Sequence, residues 1–119
     1  MKIAHVALWT EDLERLRAFY EEHFGSRAGA RYENATRGFA SYFLEFDGGA
    51  RLELMQMPGA GGSLAHLALS LGSEAAVDEA TERLRAAGVV VADEPRHTGD
   101  GYYESVVLDP DGNRIELTV

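Results

Sequence analysis

The 119-residue chain contains no cysteine. That excludes a disulfide framework, a thiolate zinc knuckle and a thiol nucleophile, and it fits a reducing compartment. Positive charge is scarce: 11 Lys and Arg stand against 20 Asp and Glu, a formal net charge of −9. A surface of that sign repels phosphate backbones and anionic lipid, so nucleic acid and membrane surfaces are not expected partners. Long apolar runs are missing too. No stretch approaches the roughly 20 residues a membrane span needs, and the start, Met1-Lys2-Ile3-Ala4-His5, lacks the apolar segment of a secretory signal. A cytoplasmic protein is the expectation.

What is present is the composition of a globular chain, 45% hydrophobic and 26% charged. A chain this long buries close to two thirds of its unfolded surface, enough for a core without staples. The chain also repeats itself. "AHVAL" at 4–8 returns as "AHLAL" at 65–69, and "GARLEL" at 49–54 returns as "GNRIEL" at 112–117. Two matched segments in the same order and at nearly the same offset point to two copies of one module. Residues 58–63, Pro-Gly-Ala-Gly-Gly-Ser, read as a connector that spans at most about 20 Å when extended. The expected modules are therefore 1–57 and 64–119, which share a core as one domain.

Within each copy the hydrophobic period changes from two to about 3.6 and back. Residues 2–9 and 64–71 alternate as strands. The first is followed by an apolar stripe of Leu13, Leu16, Phe19, Tyr20 and Phe24, with Thr10 as the expected cap and Gly25 as the stop. Val77, Ala80, Leu84 and Ala87 repeat the stripe between Ser73 and Gly88. Segments 39–46 and 50–57 read as strands joined through Asp47-Gly48-Gly49, with a further strand around 28–33. Segments 89–92, 102–108 and 113–119 complete the second copy, with Asp109-Pro110-Asp111-Gly112 as the matching turn. The expectation is α+β: strand, helix and three strands, twice.

Strand alternation decides which side chains share a face. His5 goes with Ile3, Ala7 and Trp9, opposite Val6 and Leu8. Glu53 opposes Leu52 and Leu54. In the second copy His66 opposes Leu67 and Leu69, and Glu116 opposes Ile115 and Leu117. All four sit on the face turned away from the helix of their module. Taken singly, a strand His is more often a hydrogen-bonded structural residue, and a strand Glu more often faces solvent. Here the same pair recurs at equivalent repeat positions. If the modules pair about a pseudo-two-fold axis with those faces inward, His5, Glu53, His66 and Glu116 converge on one point. Two imidazoles and two carboxylates with no sulfur suit a divalent ion such as Ni²⁺, Zn²⁺, Co²⁺, Mn²⁺ or Fe²⁺. Such an ion polarises a carbonyl as a Lewis acid.

In "HVALWTEDLERLRAFYEEHFG" at 5–25 and "DPDGNRIEL" at 109–117 the chain resembles the vicinal oxygen chelate superfamily, also called the glyoxalase, bleomycin resistance and dioxygenase superfamily. The resemblance runs through essentially the whole chain. It implies two tandem βαβββ modules whose mixed sheet curls around a central cleft, with the helices on the outer face. It also implies metal ligands from the first and fourth strands of each module, positions that match His5, Glu53, His66 and Glu116. A complete four-ligand set resembles glyoxalase I, or a related epimerase acting next to a carbonyl, more than the three-ligand members. By that analogy Glu116, with Glu53, shuttles a proton between adjacent carbons of a small α-oxo carbonyl compound or its thiol hemithioacetal. Two rival readings belong to the same superfamily: a non-catalytic protein that sequesters an antibiotic as a drug ligand, and an iron-dependent ring-cleaving dioxygenase. The resemblance further implies a homodimer, with modules paired within a chain or exchanged between subunits.

Other residues have plainer readings. His97, in "RHTGDGYY", is expected in a loop, where it either reaches the cleft mouth or is solvated. His23, near the end of the first helix, suits the helix dipole. Trp9, Tyr42, Phe43, Tyr102 and Tyr103 either line a pocket or pack in the core. Arg51 and Arg114, each two residues before a Glu ligand, either bind an anionic substrate or form ion pairs. The acidic residues Glu11, Asp12, Glu14, Glu21 and Glu22 read as a solvated helix face.

Overall fold

A computed structural model of the chain describes residues 1–60, 63–108, 112 and 114–119, the side chains of residues 23 and 24 excepted. Its elements in chain order are β1 (Lys2–Thr10), α1 (Leu13–Phe24), β2 (Arg27–Ala28), β3 (Tyr32–Asn34), β4 (Phe39–Glu45), β5 (Arg51–Gln56), β6 (Leu64–Ser70), α2 (Glu74–Ala86), β7 (Val91–His97), β8 (Tyr103–Leu108) and β9 (Arg114–Thr118). The class is α+β, as the alternating periods imply. Two compact units result: residues 5–65, and residues 66–119 together with Met1–Ala4. The expected turn at 109–112, Gly112 apart, and positions 61 and 62 of the connector lie outside the described residues.

In the unit of residues 5–65 the strand order is β2-β4-β5-β1, with β3 also on β4. β1 and β5 run parallel, and β4 is antiparallel to β5. One face of this sheet carries Leu8, Leu44, Leu52 and Leu54, and α1 covers it with Leu13, Leu16 and Tyr20. Phe19, expected in that stripe, is 47% exposed instead, and the Phe24 side chain is outside the described set. The helix cap also differs from expectation. Asp12, not Thr10, accepts from Arg15 N. Thr10 is still the last residue of β1, paired with Gln56, so its backbone is committed to the ladder. Its hydroxyl accepts from Asp12 N, and Gln56 Oε1 takes the Leu13 N–H. At the other end Gly25 adopts φ 67°, its N–H returns to the Glu21 carbonyl and the Ser26 N–H to that of Tyr20, the left-handed stop that glycine makes without strain.

The second unit orders its strands β6-β9-β8-β7, with β6 and β9 parallel and the rest antiparallel. Ser73 caps α2 as expected, accepting from Ala76 N. Val77, Ala80 and Leu84 then pack on Val107, Ile115 and Leu117. Inside that interface the buried hydroxyls of Thr81 and Ser105 meet at 2.7 Å, so neither polar group is left unsatisfied. β7 starts at Val91 and runs to His97, past the expected end at residue 92. It passes through Pro95, which the sheet tolerates because β7 lies at the edge with register shifts along it, where a missing N–H does not break a ladder.

Leu54 is fully buried under α1. Leu54→Ala is expected to lower unfolding free energy by about 2–5 kcal/mol, measured by urea denaturation followed by circular dichroism.

Candidate functional site

Each unit places one His and one Glu side by side on the sheet face opposite its helix. In the first, β1 and β5 pair so that Ala7 stands beside Glu53 and His5 beside Arg51. His5 and Glu53 are thus one diagonal step apart on one face. His5 Nε2 lies 3.4 Å from Glu53 Oε2, with both side chains buried. Phe43, opposite Glu53 on β4, sets its ring edge-on to the imidazole with centroids 5.1 Å apart. The Arg51 guanidinium lies over the Phe43 ring, 4.4 Å from its centre.

The second unit repeats the geometry through the parallel β6–β9 pair. Ala68 stands beside Glu116, so His66, two residues earlier, lies diagonally across from it. His66 Nε2 is 3.3 Å from Glu116 Oε2. The Glu116 side chain is 13% exposed and that of Glu53 only 5%, so Glu116 is the carboxylate more open to an incoming molecule. The structure therefore joins His5 to Glu53 and His66 to Glu116 within their own units, on the faces that strand alternation assigned.

One residue escaped the sequence reading. Glu104, on β8, is 7% exposed and its side chain hydrogen-bonds that of Glu116. Arg96, its register partner on β7, approaches Glu104 Oε1 to 3.5 Å. Burial, and after it the Glu116 carboxylate, push the Glu104 carboxyl up to about 8, against the opposing pull of Arg96. Its place follows from the β8–β9 register, which sets Val106 opposite Glu116 and Glu104 two residues earlier on the same face.

The remaining candidates find structural partners. His97 is the last residue of β7 rather than a loop residue; it is exposed and sits 3.6 Å from Glu74 with its ring against Tyr103. Tyr103 packs under α2 and donates to Asp78. Tyr42 lies in the helix-side core and donates to Glu14. Arg17 and Arg31 stack over its ring. The Tyr42 hydroxyl, with Arg31 and Arg17, holds the Glu14 carboxyl below the usual carboxylate range. The acidic run is thus not merely solvated: Asp12 is the cap, Glu14 joins this network, and Glu21 accepts from Ala28 N. Trp9 meets Phe39 edge-on. Arg114 pairs with Asp93, the ion-pair alternative for that residue. The His23 side chain lies outside the described set.

Comparison with known proteins gives a consistent result. A family model described as the Glyoxalase/Bleomycin resistance protein/Dioxygenase superfamily matches residues 2–117. The uncharacterized protein PA2024 of Pseudomonas aeruginosa is 32% identical, covering 98% of this chain and 86% of that protein. The cadmium-induced protein CadI of Mycobacterium bovis is 33% identical over 79% of this chain, which spans 59% of CadI. Among solved structures, the methylmalonyl-CoA epimerase of Mycobacterium tuberculosis superposes with a TM-score of 0.82 at 22% identity, covering 98% of this chain and 86% of that one. The Streptomyces coelicolor methylmalonyl-CoA epimerase in complex with 2-nitronate-propionyl-CoA gives 0.81 at 22% identity, covering 99% and 96%. At such identities these structures show a shared fold. Among the described residues, no helix is long and apolar enough to cross a membrane.

Proposed function

The chain belongs to the glyoxalase/bleomycin resistance protein/dioxygenase superfamily, and from that premise we propose that it is a divalent-metal-dependent enzyme that moves a proton at a carbon next to a carbonyl, as a glyoxalase I-like lyase or isomerase or a related epimerase. In this reading His5, Glu53, His66 and Glu116 together hold one ion, and the substrate is a small α-oxo carbonyl compound or its thiol hemithioacetal. The supporting observation is the duplicated contact of His Nε2 with Glu Oε2, 3.4 Å in one unit and 3.3 Å in the other. Ligand bonds of about 2.0–2.2 Å put neighbouring donor atoms of one ion about 3.0–3.5 Å apart, and both contacts fall in that range. The donor set itself, imidazole and carboxylate without sulfur, suits a first-row divalent ion.

A bound ion supplies Lewis-acid polarisation of the substrate carbonyl, which makes the adjacent C–H more acidic. The chain's own residues do the rest. Glu116, the more accessible of the two carboxylates, takes that proton on a carboxylate oxygen. In an isomerisation it returns the proton to the neighbouring carbon; in an epimerisation the proton comes back to the opposite face of the same carbon. Glu53, more deeply buried beneath Phe43 and His5, is the second proton-carrying candidate. His5 and His66 would supply the nitrogen donors of the set.

The test is deuterium wash-in from D₂O at the carbon next to the carbonyl, with protein reconstituted with Ni²⁺ or Zn²⁺. Methylglyoxal hemithioacetals and a methylmalonyl thioester are the probes, the latter because solved proteins of this fold include methylmalonyl-CoA epimerases. Metal-dependent incorporation into either is the expected result. Metal-replete protein that exchanges neither, or that binds an antibiotic and returns it unaltered, overturns the enzymatic reading.

A further inference from the structure

The two units are near copies, and they differ beside their carboxylates. In the first, β4 presents Phe43 opposite Glu53 and, two residues earlier on the same face, Ser41. In the second, β8 presents Val106 opposite Glu116 and, two residues earlier, Glu104. The second unit therefore has a carboxyl where its twin has a small hydroxyl. That carboxyl is part of a file that crosses all four strands of the half-sheet. His66 on β6 is 3.3 Å from Glu116 on β9. Glu116 is hydrogen-bonded to Glu104 on β8. Glu104 is met at 3.5 Å by Arg96 on β7, whose guanidinium also donates to the Glu104 main-chain carbonyl. The file runs from a buried imidazole to a guanidinium that is 43% exposed at the sheet edge.

Burying an acidic group next to another is costly, and what offsets the cost here is the hydrogen bond to Glu116 together with the Arg96 contact. The Glu104 contact fixes the rotation of the Glu116 carboxyl, and Arg96 braces Glu104 against the outer strand. We propose that Glu104 is a positioning residue: it holds Glu116 with one oxygen turned to His66 Nε2, so that the second module presents a preformed imidazole–carboxylate pair to a divalent cation. Outer partners of this kind set ligand orientation, and their loss is felt as weaker metal binding rather than as a missing donor. The inference rests on the reading of His66 and Glu116 as metal ligands, and it adds a residue outside the four.

The experiment is Co²⁺ titration of the purified chain, followed by the visible d–d absorption and by competition with a chromophoric chelator. Glu104→Leu and Glu104→Ala remove the hydrogen bond, whereas an amide at 104 supplies it again. The expectation is that Leu and Ala weaken Co²⁺ binding about 10–100-fold and change the absorption, while Glu104→Gln stays within about threefold of the parent. The Ala variant keeps the test open should Leu not fold. Leu and Ala variants that bind Co²⁺ as the parent does overturn the positioning role alone, as does a Gln variant that falls as far as Ala. A parent protein that takes up no Co²⁺ removes the metal reading and this proposal with it.

Discussion

Glu116→Gln is expected to cut proton-transfer turnover by at least about 100-fold, the lower end of what a positioned acid–base group contributes. The exchange keeps the side-chain shape and one carbonyl oxygen but leaves no group able to accept a proton at carbon. Loss of folding is not the cause to expect. Glu104 is buried against Glu116 and its carboxyl, pushed up to about 8 by burial and then by Glu116, keeps its proton at neutral pH, so the carbonyl oxygen of an amide at 116 still accepts from it and no buried group is orphaned. Thermal melting of Glu116→Gln should therefore match or exceed that of the parent while turnover collapses. Glu53→Gln provides the comparison. Its side chain is more enclosed than that of Glu116, so a smaller loss of turnover is expected there. Deuterium wash-in measured at saturating substrate and fixed metal checks both. A Glu116→Gln protein that retains more than about a tenth of parental turnover removes Glu116 from the proton-carrying role.

Much of this was legible before any coordinates because the information is local. The His-bearing strands 2–9 and 64–71 announce themselves by period-two alternation, and the repeated "GARLEL" and "GNRIEL" place each Glu on a second strand in the same phase. Parity along a strand depends only on counting, so the shared face of His5 and Glu53, and of His66 and Glu116, followed from the sequence. What needed the structure is what depends on pairing between distant segments. Glu104 reads as one more acidic residue in a strand until β8 is laid against β9 and Val106 comes opposite Glu116. The cap at Asp12 was missed because Thr10 is an equally good capping type, and only the β1–β5 ladder shows that Thr10 is occupied. The full length of β7 needed the structure because it is an edge strand with register shifts against β8, and edge position is a tertiary property. Glu14 passed as solvated because its partners, Arg31 and Tyr42, come from 17 and 28 residues away.

The metal-free protein is expected to lose stability as pH rises from about 4.5 to about 8, and Glu104 is the cause. Its carboxyl titrates near 4.5 when unconstrained and is pushed to about 8 in the fold, first by burial and then by Glu116. Between those values the folded chain holds a proton that the unfolded chain has released, so folding is linked to proton uptake and each rise in pH costs stability. The contribution is present in full below about 4.5 and is lost as pH passes through about 8. At about 1.4 kcal/mol per unit of displacement the loss is on the order of a few kcal/mol, less whatever Arg96 returns by pairing with the ionised form. Glu104→Gln has no proton to lose, so its unfolding free energy should stay flat over this range, meeting the parent near the acid end and exceeding it near pH 8. Exposed pairs act in the opposite sense. Arg85 holds Glu94, and Tyr42 with Arg31 holds Glu14, below the usual carboxylate value, so their small contributions are present at neutral pH and vanish only on acidification. Guanidinium denaturation in chelator at pH 5, 6.5 and 8 separates the two slopes. A parent protein as stable at pH 8 as at pH 5, with Glu104→Gln no different from it, excludes the buried carboxyl pair as the source. A divalent cation added at pH 8 should recover most of the loss, because a cation beside Glu116 replaces the shared proton as the charge that makes two neighbouring carboxyls tolerable.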